Sequence, residues 1–183
     1  MPPTSDVRSH TAPRPLTRTP PRWAMPVSFA LCLAGLAVSA YLTYAHFTSA
    51  TVLSCPDTAL VNCVKITTSP QSMLFGVVPV AVAGLGYFVA MTLLCSPPAW
   101  GGRRAGTDEA AGRPARWAPF VRWSRVAGVV AGVGMVCYLV YVELVVLDAL
   151  CVYCTAVHVL TLLLFGTVLF AEALGMPTAE AGP

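Results

Sequence analysis

Charge is scarce in this 183-residue chain: 10% of its residues are Asp, Glu, Lys or Arg, and lysine occurs once, at Lys65. A soluble domain needs a polar shell, which this composition does not supply. There is no phosphate-binding glycine loop, no nucleic-acid motif and no repeat of solenoid period, so nucleotide-driven chemistry, nucleic-acid binding and stacked arrays lack any support. Apolar residues, in contrast, make up 56% of the chain, and the mean hydropathy is +0.71. The composition is that of a membrane protein.

A bilayer core of about 30 Å takes roughly 20 apolar residues in a helix. Four stretches qualify, at residues 24–49, 75–95, 121–147 and 151–174. In the second, Gly84 and Gly86 permit close packing and Pro79 is expected to bend the helix. Gly128 and Gly132 give the third a G-x-x-x-G packing pattern. Little outside these stretches could build a separate core, so we expect an all-α membrane protein. It is a four-transmembrane-helix bundle (residues 23–174) with an external loop at 50–74 and a cytoplasmic linker at 96–120. Residues 1–22 and 175–183 are expected to be tails, the first one disordered.

Charge placement sets the expected orientation. Of eleven Lys and Arg residues, Arg8, Arg14, Arg18 and Arg22 precede the first span, and Arg103, Arg104, Arg113, Arg116, Arg122 and Arg125 lie in or beside the linker. Only Lys65 falls on the other side. The positive-inside rule puts both termini and the linker in the cytoplasm, and the loop and the turn at 148–150 outside. The "AVSA" ending at Ala40 resembles a signal-peptide cleavage site, but the apolar run continues through Phe47 and cleavage would break the charge pattern.

Seven cysteines sort by this topology. Cys32 and Cys137 lie within spans and Cys95 at the inner end of one, where a thiol is usually an apolar packing residue. Cys55, Cys63, Cys151 and Cys154 all map to the outer face, where disulfides persist. Spacing favours pairing Cys55 with Cys63 and Cys151 with Cys154.

Asp148 is an expected N-cap, which would put Cys151 in the first turn of the last helix, where the helix dipole favours a thiolate. Cys154 lies deeper, toward a hydrophobic electron acceptor. His158 shares its helical face, at i+4. It reads either as a helix-bridging hydrogen bond or as a donor to a bound carbonyl oxygen. Ser69, before Pro70, could start a turn, and Glu143 and His46 near the outer span ends read as interfacial, mutually paired or catalytic.

The pair in "CPDTALVNC", Ser69 six residues later, "FGVVPVAVAGLGYF", four apolar spans and "CVYC" opening the last helix together resemble the vitamin K epoxide reductase family in its bacterial branch. The likeness runs over residues 25–170. It implies a quinone-dependent thiol oxidase, similar in action to DsbB, in the bacterial cytoplasmic membrane. Cys55 would exchange with a separate thioredoxin-like or DsbA-like exported protein, and Cys63 would shuttle to Cys151. Cys154 would face the quinone, of menaquinone, ubiquinone or vitamin K type, with His158 and Ser69 as further ligand-facing residues.

Three alternatives use the same residues differently. The fold could reduce vitamin K epoxide or quinone itself. Paired thiolates could carry a soft metal, although ligands gathered at one face argue against transport through the membrane. Both pairs could also be static staples.

Overall fold

A computed structural model of the chain describes residues 21–49, 53, 55, 61–74, 76–97, 99 and 118–174. Most of the two expected tails, most of the linker, part of the external loop, Trp100 and Trp117 lie outside these residues. The described chain is mostly helical. Helix α1 covers Ala24–Thr48, a short α2 Cys63–Thr68, α3 Val80–Leu94, α4 Ala118–Tyr141 and α5 Val152–Leu174.

Among the described residues three helices are long and apolar enough to cross a membrane: Ala24–Thr48, Pro119–Val146 and Val152–Leu174. The expected second span is shorter than its apolar run. Its first residues form a hairpin, β1 (Met73–Leu74) antiparallel to β2 (Val78–Pro79), turning through Gly76 at φ 71°. Pro79 therefore does not bend a helix. It holds Val78 extended and stands immediately before α3, whose 15 residues rise about 22 Å.

Lipid tails are as apolar as leucine, so these helices associate by close packing rather than by hiding apolar surface. The buried face of α1 is accordingly small: Ala24, Ser28, Cys32, Gly35, Ser39, Leu42 and Ala45 recur every three or four residues. It packs chiefly on α3 and α5, with α4 against α5. A Cβ at Gly35 would overlap the Phe88 ring, and Cβ atoms at Gly128 and Gly132 would strike Met91 and Tyr87. The G-x-x-x-G pattern thus receives two α3 side chains. Gly86, expected to do likewise, faces open space.

At one end Arg122 Nε meets Glu172 Oε2 at 2.6 Å, joining α4 to α5. Arg125 is buried beside them, and its guanidinium donates to Leu94 O at 3.2 and 3.0 Å, satisfying the end of α3. Cys32 and Cys95 are buried in the neighbouring apolar cluster with Met91, Val129, Leu164 and Val168. Cys137, expected to pack inside, is exposed.

At the other end α4 widens into a π turn over Val142–Val146, closed by the Leu147 N–H bond to Val142 O at 2.9 Å. Asp148 then takes φ 47° and Ala149 N–H returns to Glu143 O at 3.0 Å. Asp148 is consequently part of the α4 exit and not the expected cap of α5. That correction moves Cys151 to the residue just before the helix.

Candidate functional site

The α4–α5 turn and the segment before α2 are stitched together. Val61 bridges Leu150 in parallel, with Asn62 N–H on Leu150 O at 3.1 Å. Asn62 also caps α2 by accepting from Lys65 N–H at 2.8 Å, while Lys65 Nζ donates to Leu147 O at 2.6 Å. These bonds set the start of α2 against the start of α5. Each of those starts carries a cysteine.

Cys55, Cys63, Cys151 and Cys154 meet in one cluster with Leu42, Ala45 and Leu53. Cys55 and Cys63 form a disulfide with Cα atoms 6.2 Å apart, whereas Cys151 and Cys154 are free thiols. Cys63 is 1% exposed and Cys151 fully buried, while Cys55 and Cys154 are each half-buried. The loop disulfide therefore has an inner sulfur beside Cys151 and an outer one nearer solvent. Tyr41 and Tyr153 pack over the cluster with ring centroids 5.2 Å apart.

Cys151 performs the capping that was expected of Asp148. Its Sγ accepts from Cys154 N–H at 3.4 Å, and its carbonyl accepts from Thr155 N–H at 2.8 Å, the first bond of α5. The Cys154 thiol holds the Cys151 thiol below its ordinary range, helped by the N–H groups of Cys154 and Tyr153; burial and the Glu143 charge oppose them. The dipole argument for Cys151 survives the correction, since a cap sulfur lies at the positive end of the helix.

Behind Cys154 opens a cavity of about 800 Å³, counting its mouth, walled mainly by apolar side chains of α1, α3, α4 and α5. Cys154, His158 and Ser69 all line it, so the three expected ligand-facing residues converge. His158 is buried at its wall, and no helix-bridging hydrogen bond holds its ring among the described residues. Ser69 does form the expected turn: its hydroxyl donates to Ile66 O at 2.8 Å, and its carbonyl accepts from Ser72 Oγ at 2.7 Å. Toward the cavity Ser69 Oγ can thus accept but has no spare proton.

Two wall residues were hidden in the sequence or ambiguous there. Ser39 Oγ is buried without a hydrogen-bond partner, an orphan donor that a hydroxyl in an apolar helix does not advertise. Glu143 is 4% exposed and lines the cavity with Cys154; a charge inside an apolar run was its signal. His46 lines the same cavity. Among the described residues no cluster of three or more His, Cys, Asp or Glu side chains could hold a metal ion.

Helices of membrane-spanning length, a disulfide stacked on two free thiols and a cavity behind them define a membrane redox protein. Residues 26–169 match the vitamin K epoxide reductase family model, and the chain belongs to that family. No match was found among curated proteins. Membership supports an oxidoreductase that works within a membrane.

Proposed function

We propose that the protein is a quinone-dependent thiol oxidase of the DsbB-like kind, re-oxidising a separate thioredoxin-like exported protein. The observation that carries this reading is the single cluster in which the Cys55–Cys63 disulfide touches the Cys151 and Cys154 thiols, with Cys154 on the cavity wall. A partner thiolate would attack Cys55 Sγ, the accessible sulfur, and Cys63 would leave as a thiolate. The partner's second thiol would attack the mixed disulfide, leaving oxidised and freeing Cys55. Cys63 would attack Cys151 in a Cys151–Cys154 disulfide with Cys154 leaving, and Cys55 would then close on Cys63 with Cys151 leaving, which restores the loop disulfide. The electron pair now resides in the Cys151 and Cys154 thiols, the state that the structure describes.

A quinone suits the cavity, whose walls are apolar apart from a few groups such as the orphan Ser39 hydroxyl and His158. Leu42, Val80 and Val157 would hold the ring, and the quinone would supply acceptance of two electrons. The arginines Arg22, Arg122 and Arg125 are placed toward the helix ends remote from Cys55, Cys63, Cys151 and Cys154, which supports an outward-facing cluster in a bacterial cytoplasmic membrane.

The test is anaerobic quinone absorbance with purified protein and a reduced thioredoxin-like partner, wild type beside Cys154→Ser. Loss of quinone absorbance with wild type alone is expected, while the variant keeps its Cys55–Cys63 disulfide. No partner-dependent loss with menaquinone, ubiquinone or vitamin K would sink the reading.

A further inference from the structure

Two carboxyl groups lie within the helices of spanning length, and their treatment differs. Glu172 has Arg122 at 2.6 Å. Glu143 is buried with no ion pair among the described residues, and it shares the cavity wall with Cys154 and His158. A buried carboxyl without a cation is costly to keep, and inside a membrane helix such a group is a functional candidate by default.

Its position is set by the π turn. Val142 and Glu143 are both buried, and the Glu143 carbonyl is fixed by Ala149 N–H at 3.0 Å. The titratable groups around it are His46 from α1, Lys65 from α2 through its bond to Leu147 O, Asp148 from its own turn, and Cys151, Cys154 and His158 from α5. Helix α3 contributes only Val80, Ala81 and Gly84 to this wall. Of these groups, His46, Cys154 and His158 share the cavity wall with Glu143, and Cys154 alone of them is a thiol.

We propose that Glu143 carries the proton of the final step, taking it from the Cys154 thiol as that sulfur gives up electrons and passing it to an oxygen of the acceptor. The inference rests on the quinone-linked reading above. In balance, the Cys151 and Cys154 thiols lose two protons and two electrons, one S–S bond forms, and two quinone carbonyls become hydroxyls. Glu143 relays one proton and ends as it began; the Cys151 proton is released, and the second quinone oxygen takes up one in exchange. Cys154 lies within one turn of Cys151, its N–H on the Cys151 sulfur at 3.4 Å, and shares the cavity wall with Glu143, so sulfur and proton chemistry part at that residue.

Glu143→Gln preserves shape and removes the transferable proton. Anaerobic oxidation of the reduced Cys151 and Cys154 pair by quinone should slow by about 100-fold, within the usual range for a positioned acid or base. Exchange between partner and loop disulfide should stay at the wild-type rate. A second readout needs no quinone. In a Cys151→Ser background, the rate of Cys154 alkylation against pH should show coupling to a carboxyl, and Glu143→Gln should reduce it to a single titration step.

Labelling of the buried Cys32 and Cys95 by the same reagent reports unfolding. If the Gln variant shows it, Glu143→Asp decides: retention of at least about a tenth of the wild-type rate supports the relay, and a rate as low as the Gln variant's overturns it. A folded Gln variant within about threefold of wild type, or an unchanged alkylation profile, also overturns it. If wild type itself fails to reduce quinone, the functional reading falls and takes the relay with it; if only the Gln effect is missing, that reading stands.

Discussion

Among its described residues the bundle holds two pairs of neighbouring thiols, one at each end, and only one of them is equipped to react. Cys32 and Cys95 are sealed in an apolar cluster beside Arg125, whose guanidinium is committed to Leu94 O. Cys151 and Cys154 are also packed, but they have a disulfide on one side, a cavity on the other and helix N–H groups at the sulfur. Reactivity here comes from what borders the thiols rather than from their proximity. A thiol pair needs somewhere for its electrons to come from and go to.

The largest expected contrast is in turnover. Cys154→Ser should remove partner-dependent quinone reduction by at least about 1,000-fold, since among the described residues no other sulfur lines the cavity. The double substitution of Cys32 and Cys95 by Ala should leave it within about twofold, because these residues share no contact with the outer cluster. Equal losses in steady-state assays would erase the distinction between the two ends.

A smaller effect sharpens the cause. The Cys151 thiol is held below its ordinary range first by the Cys154 thiol, while burial works against this. Removing Cys154 takes away the largest favourable contribution and leaves the burial, so the Cys151 titration must move to higher pH. Stopped-flow alkylation of Cys154→Ala should accordingly show a rate–pH curve displaced to the alkaline side of Cys151 in the reduced wild type. No displacement would mean that the helix N–H groups alone set its reactivity.

Arg125→Met tests the inert end more strongly than its cysteines do. Losing the guanidinium leaves the Leu94 carbonyl buried without its donor, a cost of about 1–3 kcal/mol. Thermal unfolding in detergent should register this, with the quinone rate kept.

Much of the site was legible because its signals are local. Two cysteine spacings, the apolar run after Cys151 and the i+4 step to His158 each depend on neighbours in sequence, and the structure gathers these residues as expected. The failures involve longer reach. Asp148 looked like a cap, but the π turn of α4 and the Ala149 bond draw it into the preceding helix, leaving Cys151 to cap α5. The 75–95 run looked like one helix because hydropathy does not register a hairpin, even where Gly76 and Pro79 supply its turn and its end. Ser39 was invisible, since an orphaned hydroxyl is defined only by what surrounds it. The same hairpin shortens the helix of the second apolar run to Val80–Leu94, below the length of the three spanning helices among the described residues.

The smallest expected effect concerns Cys95→Ala alone. Truncation removes one buried sulfur beside Cys32 and Arg125 but strands no polar group, because a thiol left alone is nearly apolar and the guanidinium keeps its bonds to Leu94 O. The residual space borders Met91, whose flexible thioether can shift into it. A loss of about 1 kcal/mol is therefore the expected scale, below that for Arg125→Met. Cys95→Ser should cost more although it is closer in size, since a hydroxyl in this cluster demands a stronger partner than a thiol provides. If Ser proved milder than Ala in detergent unfolding, the inner pair would be polar in character, and its difference from the outer pair would be one of access alone.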